Sequence, residues 1–427
     1  MFSSYAEEGN PLLTDPSAKT RATFVLENTN TTVANTLRRC ILTETRSAGF
    51  HADLTKAADP GVRIRKNTSV IFNEMLAHRL TLLPLAVRDL DSFDPARYEC
   101  VLRVRNDKKG PITEENLLHV VAGDILVREK DSAGTFQDLT TAATTALFPP
   151  DPITGDTPLL LTLRPQWNPE QPPEEIDLTA YPVIGRGREF MGFCPVSQCS
   201  FANTLDPDPV RQEEFFKSWL ADYKKIVGDT STLPPEVMES HRQEWSNMAI
   251  QRCFMVDEKG QPNSFTFTVE SVGVRPVQDI VQEGIRAVTQ LLAPYTDVAT
   301  PIGEIGMTLQ PANARMTGVD VFFEGQEHTL GNLLQTFITE LYLEDEAPDA
   351  PITYVGYKVP HPLHRKMFLR IGVRDAAGAD ANAIARQVIA AAAQRAQVVF
   401  QELARGWEAL GRTGGAAAAT TAAALDG

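Results

Sequence analysis

Phe24-Val25-Leu26-Glu27-Asn28, followed by Thr32-Val33-Ala34-Asn35-Thr36-Leu37-Arg38-Arg39, reads as a strand, a short polar turn and a helix starting at Thr32. The unit recurs without a gap as Phe322-Phe323-Glu324 and Thr329-Leu330-Gly331-Asn332-Leu333-Leu334. Glu27 matches Glu324, Thr32 matches Thr329, Asn35 matches Asn332 and Leu37 matches Leu334, each pair 297 residues apart. Four identities at one offset, on one strand–turn–helix pattern, indicate two copies of a structural unit. The period is far longer than the roughly 20 to 50 residues of a solenoid repeat. Two related domains that pair with each other are therefore expected, with Thr32 and Thr329 as helix N-caps.

The apolar residues of the second copy, Leu330, Leu333, Leu334, Phe337, Ile338, Leu341 and Tyr342, follow helical spacing and form a wide stripe. The first copy has a thinner stripe, Val33, Leu37 and Ile41, with Asn35, Arg38, Arg39 and Arg46 lying away from it. Either helix alone could simply cover its own sheet. The second stripe, however, is broad enough to touch a sheet and another helix together. The expected seam between the copies is Val33, Leu37, Ile41, Leu330, Leu334, Phe337, Ile338 and Leu341.

Thr32 to Arg39 resembles the signature of the alpha-type subunits of cellular RNA polymerases. Asn67-Thr68-Ser69-Val70, with Glu74, Leu76-Ala77-His78-Arg79-Leu80 and Leu83-Pro84-Leu85, resembles the next block of the third subunit of eukaryotic RNA polymerase II. Phe265 to Gly273 is similar to that subunit's closing strand. Glu324 to Leu334, with Gly356-Tyr357-Lys358-Val359-Pro360-His361-Pro362-Leu363, is similar to the eleventh subunit. The motifs fall in the family's order. Their union in one chain resembles the polymerases of large DNA viruses.

Composition sets outer bounds. At 427 residues the chain should hold two or three domains. No apolar run approaches the ~20 residues that span a membrane, and Met1-Phe2-Ser3-Ser4 carries no signal-peptide pattern, so a soluble intracellular protein is expected. Five scattered cysteines fit a reducing compartment. A net charge of −15 argues against coating nucleic acid by phosphate neutralisation, and no sequence-specific nucleic-acid binding is expected.

The expected fold class is α+β: two alpha-type dimerisation domains forming an intramolecular pseudo-dimer, with a β insert in the first. In order, residues 1–20 read as a flexible arm, and 21–87 with 184–293 as the discontinuous first dimerisation domain. Residues 67–83 read as a helix with Val70, Ile71, Met75, Leu76 and Leu80 on its apolar face. A proline-rich β insert spans 88–183; the family's insert often holds a cysteine cluster, but Cys100 stands alone here. Residues 206–250 place Phe215, Phe216, Trp219, Leu220 and Tyr223 on one helical face, read as a local core rather than a docking face. A helix is expected over 279–292, capped by Asp279. A linker at 294–316 leads to the second dimerisation domain, 317–411. Its last helix, 380–410, buries Ile384, Val388, Val399, Leu403, Trp407 and Leu410 and stops at Gly411, leaving 412–427 as a disordered tail.

No catalytic constellation is evident. Gly185-Arg186-Gly187-Arg188-Glu189 invites a phosphate-loop reading but lacks the Lys-Ser/Thr and a clear following helix. Cys194 and Cys199 lack the further ligands that zinc requires, so no metal or other cofactor is expected. The resemblance implies a scaffold on which the largest and second-largest polymerase subunits assemble and to which small zinc-binding subunits attach. It makes Arg38, Arg39, Arg186, Arg188 and Glu189 candidate partner contacts. A monomer that mimics a dimer is expected rather than a homo-oligomer. The viral likeness implies a host cytoplasmic or nuclear transcription site, and packaging in the virion. The competing readings are a nucleotide-binding transferase using Gly185–Glu189 and an interaction scaffold outside transcription.

Overall fold

The computed structural model describes residues 2–9, 20–56, 61–226, 234–312, 316–344, 350–374 and 380–423, with side chains to Leu410 in the last segment. Strands β1 (Phe2–Glu8) and β2 (Arg21–Glu27) pair antiparallel at the start of the chain. Strand alternation sends Ala22, Phe24 and Leu26 into the core and leaves Thr23, Val25 and Glu27 on the other face. The arm expected over residues 1–20 is thus a strand over 2–8; residues 10–19 lie outside the described residues. β1 carries no apolar rhythm because it is an edge strand. Its ladder to β2 holds it, together with Phe2 and Tyr5, whose rings lie 5.1 and 5.5 Å from that of Trp407 at the far end of the chain.

Helix α1 (Thr31–Thr43) is capped not by Thr32 but by Asn30, whose side chain accepts from the Val33 N–H at 2.9 Å. β3 (Arg46–Phe50), β4 (Val62–Asn67) and α2 (Asn73–Thr81) follow. The helix expected from Asn67 begins only at Asn73. The Asn67 side chain bonds the Ile71 carbonyl and the Ser69 N–H, which holds the intervening residues in a turn. Leu76 and Leu80 are buried, whereas Val70 and Met75 face solvent.

β5 (Tyr98–Arg105), β6 (Leu118–Val121), β7 (Leu126–Lys130), β8 (Phe136–Asp138), α3 (Thr141–Leu147), β9 (Leu159–Leu163), β10 (Glu175–Ala180) and β11 (Pro182–Arg186) complete the insert. The larger sheet has the order β4-β10-β5-β7-β8, and β3–β11 and β6–β9 form two-stranded pairs. One core collects Phe50, Leu76, Leu80 and Leu85 with Leu102, Leu161 and Leu178. A boundary at residue 88 would cut through that core. Packing therefore places α2 with the insert rather than with α1.

β12 (Val196–Asn203), α4 (Pro209–Trp219), α5 (Pro235–Met248), β13 (Ser264–Ser271) and α6 (Val277–Leu292) return the chain to the first sheet, ordered β1-β2-β13-β12. Phe216 and Leu220 join Trp245 and Ala249 in a small separate core, while Phe215 and Tyr223 are exposed. α6 starts two residues before the expected position. Asp279 lies in its first turn rather than at the cap, where a carboxylate still favours the helix N-terminus.

β14 (Met307–Pro311), β15 (Gly318–Glu324), α7 (His328–Tyr342), β16 (Ile352–Lys358), β17 (Lys366–Val373) and α8 (Ala381–Ala423) form the second half, with sheet order β14-β15-β17-β16. The expected linker thus contributes an edge strand, β14. Its preceding stretch is fastened by Arg386, which donates to the carbonyls of Asp297, Val298 and Thr300. α8 continues past Gly411, the expected stop, to Ala423, through an alanine run whose propensity offsets the glycines; residues 424–427 lie outside the described residues. Its buried face is richer in small residues than the expected one. Ala385, Ala392, Ala393 and Ala396 are fully buried beside Val388, Leu403 and Trp407, whereas Ile384, Val399 and Leu410 are half-buried or only flank the core.

Candidate subunit-docking surface

The two halves share a single hydrophobic core, in which α1 and α6 meet α7 and α8. Val33, Leu37, Ile41, Leu330, Leu334, Phe337 and Ile338 are all buried there. Leu341 is not: it is 43% exposed. Asn30, at the start of α1, bonds Glu340 at 2.7 Å, so the last turn of α7 runs beyond the end of its partner helix.

Polar pairs across this seam repeat with the symmetry of the sequence. Thr32 Oγ1 lies 3.0 Å from Thr336 Oγ1, and Arg39 Nε donates to Thr329 Oγ1 at 2.7 Å. The offset of 297 that takes Thr32 to Thr329 also takes Arg39 to Thr336. Each contact is thus the pseudo-twofold mate of the other, the arrangement of an isologous interface. Asn332 Nδ2 also donates to Thr32 Oγ1, at 3.3 Å. Of the residues that revealed the repeat, Thr32, Thr329, Asn332, Leu37 and Leu334 are seam residues, whereas Glu27 and Glu324 pair within their own halves. Thr329 is not a cap: α7 starts after Glu327, which makes no side-chain capping bond.

Two close approaches tighten the bundle. A Cβ on Gly284 of α6 would stand 2.6 Å from Ile41 Cγ1, so only glycine lets α6 lie this near α1. Trp407 of α8 is 2% exposed; it packs on Phe24 with ring centroids 4.8 Å apart and donates from Nε1 to the Gln278 carbonyl of α6 at 3.0 Å.

The five candidate partner contacts are placed differently from one another. Arg39 is engaged in the seam, whereas Arg38 folds back onto Asn35, donating from Nε at 3.1 Å. Arg188 pairs with the largely buried Glu44 at 2.7 Å, Arg186 stands 4.0 Å from the same carboxylate, and Glu189 accepts from the Arg186 N–H. Arg365 of the second half donates to the Arg188 carbonyl at 3.1 Å, so this turn also touches both halves. A Cβ on Gly187 would fall 2.3 Å from the Leu42 carbonyl oxygen, and the Phe193 ring fills the space beside Gly185. These glycines serve packing against α1 and the Phe193 ring, not the cradling of a phosphate.

All five cysteines are buried and free. Burial pushes the thiols of Cys40, Cys100 and Cys199 up to about 12, so they are protonated at neutral pH. Among the described residues no three His, Cys, Asp or Glu side chains cluster as metal ligands, and no helix is long and apolar enough to cross a membrane.

Residues 23–292 match the model of the RNA polymerase Rpb3/Rpb11 dimerisation domain, and residues 319–405 match a second model of the same description. The chain belongs to the Rpb3/Rpb11 dimerisation-domain family. It is 27% identical over 292 residues to DNA-directed RNA polymerase II subunit RPB3 of Schizosaccharomyces pombe, covering 65% of this chain and 82% of that one. It is 26% identical over 295 residues to subunit RPAC1 of DNA-directed RNA polymerases I and III of Saccharomyces cerevisiae, covering 62% and 80%. To subunit Rpo3 of Pyrococcus horikoshii it is 24% identical over 280 residues, covering 62% and 88%. By this membership the chain is a non-catalytic subunit of the RNA polymerase type. The first Rpb3/Rpb11 match spans the insert and the first sheet except its edge strand β1, and the second begins at β15, at the repeat seen in the sequence.

Proposed function

We propose that this protein is the assembly platform of a DNA-directed RNA polymerase, in which two Rpb3/Rpb11-type halves pair within one chain. The paired halves form the surface on which the largest and second-largest subunits assemble, and small zinc-binding subunits attach to the same platform. In the scheme the resemblance implies, the second-largest subunit faces the first half and the largest faces the second. The platform acts at the site of transcription, and its one-chain arrangement corresponds to that of large DNA viruses. The division into a first domain interrupted by an insert and a second domain after the linker is part of this reading.

The observation that carries it is the exchange of polar pairs, Thr32–Thr336 with Arg39–Thr329, inside one continuous core. Subunits that dimerise present such self-complementary surfaces, and here one chain supplies both. The transferase reading loses its motif, because Gly185 and Gly187 are consumed by packing. The test is co-expression of the tagged chain with the polymerase subunits, followed by affinity purification and mass spectrometry. Recovery of both large subunits with a chain that sediments alone as a monomer is the expected result. A stable homodimer, or a chain that retains neither large subunit, refutes the platform reading.

A further inference from the structure

A polar groove of about 500 Å3 lies between α6, β3 and the turn after β11. Five arginines line it, Arg46, Arg88, Arg186, Arg275 and Arg286, with four carboxylates, Glu44, Asp91, Asp279 and Glu283. In a chain of net charge −15 this groove has one more cation than anions.

The inner pairs are short and shielded. Glu283 accepts from Arg46 Nε at 2.7 Å and from Arg275 Nη1 at 2.5 Å, and the same Arg275 nitrogen donates to the Arg46 carbonyl at 2.9 Å. The Arg275 side chain is only 8% exposed, yet its Nε has no partner among the described residues. The buried Gln282 Oε1 also has none. Unpaired buried donors and acceptors keep their desolvation penalty, so both gain from a ligand that pairs them.

The outer pairs are long: Arg88–Asp279 at 3.4 Å and Arg286–Glu408 at 3.7 Å are exposed, and Arg186–Glu44 at 4.0 Å joins an exposed arginine to a largely buried carboxylate. Exposed pairs of this kind contribute little, and Glu44 is already held by Arg188. Three arginines on the outer side of the groove are therefore available to new carboxylates. Arg275 Nε needs an acceptor and Gln282 Oε1 needs a donor. A peptide unit offers both, a carbonyl acceptor and an N–H donor on one rigid backbone.

The geometry points to a docking groove for an acidic, extended polypeptide segment of another polymerase subunit, with its backbone at Arg275 and Gln282 and its carboxylates at Arg88, Arg186 and Arg286. This rests on the platform reading above. The surplus of arginine in the groove favours the approach of an acidic segment to it.

The test titrates the full chain into a short fluorescent Asp/Glu-rich peptide, read by anisotropy, with a Lys-rich peptide and inorganic phosphate in parallel. The variant Arg88→Gln/Arg186→Gln/Arg286→Gln changes only outer side chains, and circular dichroism checks its fold. Saturable binding of the acidic peptide is expected, weakened by salt and roughly tenfold or more weaker in the variant, with no binding of the Lys-rich peptide. Equal binding by the variant overturns the inference, as does displacement of the peptide by millimolar phosphate, which would mark a small-anion site. Co-purification separates the two claims. If the wild-type chain retains the large subunits but binds no acidic peptide, the groove inference falls and the platform reading stands. If it retains neither large subunit, the platform reading falls.

Discussion

Trp407→Ala, introduced into a chain cut at the exposed Gly303, is the sharpest test of internal pairing. The Trp407 ring lies 5.1 Å from Phe2, 4.8 Å from Phe24 and 5.5 Å from Tyr5, and its Nε1–H meets the Gln278 carbonyl. These partners belong to the first half and Trp407 to the second, so the lost packing falls on the association of the halves. Truncating a buried tryptophan costs about 3–5 kcal/mol. At 1.4 kcal/mol per tenfold, the cut halves should associate roughly 100- to 4,000-fold more weakly. The assay is size-exclusion chromatography over a dilution series. Cut wild type should run as one species while the cut variant separates at the same concentration. The exposed Leu341→Ala serves as a control that leaves elution unchanged. Separation of the cut wild-type halves, or co-elution of the Trp407→Ala halves over the whole dilution series, refutes the reasoning.

Two further outcomes follow from the same bundle. Gly284→Ala should destabilise the chain by about 1–3 kcal/mol in urea unfolding, because its Cβ would collide with Ile41; on an exposed helix the same change stabilises, so a raised midpoint would show that α6 and α1 are not in close contact. Desolvation raises the Glu340 carboxyl above its ordinary value, against the opposing hydrogen bond from Asn30. The folded state therefore binds its proton more tightly than the unfolded one, and this contribution, present below about pH 4.5, is lost as pH rises through the higher folded value. Glu340→Gln keeps an acceptor for Asn30 and should flatten that part of the stability profile, gaining on the wild type as pH rises from 4 to 7; a variant that instead loses stability relative to wild type over that range contradicts the buried-carboxylate reading.

The repeated strand–turn–helix unit was legible because burial imposes periodicity. Leu330, Leu334, Phe337 and Ile338 follow helical spacing since one face of α7 must leave water, and Phe24 and Leu26 alternate since one face of β2 must do the same. The family motifs and their order were equally visible, and with them the fold class. Thr32 and Thr329 were singled out correctly as special and given the wrong role. A hydroxyl near a helix start suits capping, and only the position of the opposite helix shows that it reaches across the seam instead.

Other features depend on residues distant in sequence and had no local signal. β1 lacks apolar alternation because an edge strand is held by its ladder and by Phe2 and Tyr5, and the ring that both of these meet, Trp407, lies some four hundred residues away. The alanines of α8 read as helix propensity, yet Ala385, Ala392, Ala393 and Ala396 are the buried face, since small side chains let backbones approach. α2 joined the insert core because Leu76 and Leu80 found Leu161 and Phe50, a choice made by packing rather than by chain order. Arg46, Arg275 and Glu283 are unremarkable charges in the chain until β3 and α6 bring them together. Local sequence thus determined which segments must hide an apolar face. The tertiary structure decided what each face hides against, because that depends on partners hundreds of residues apart.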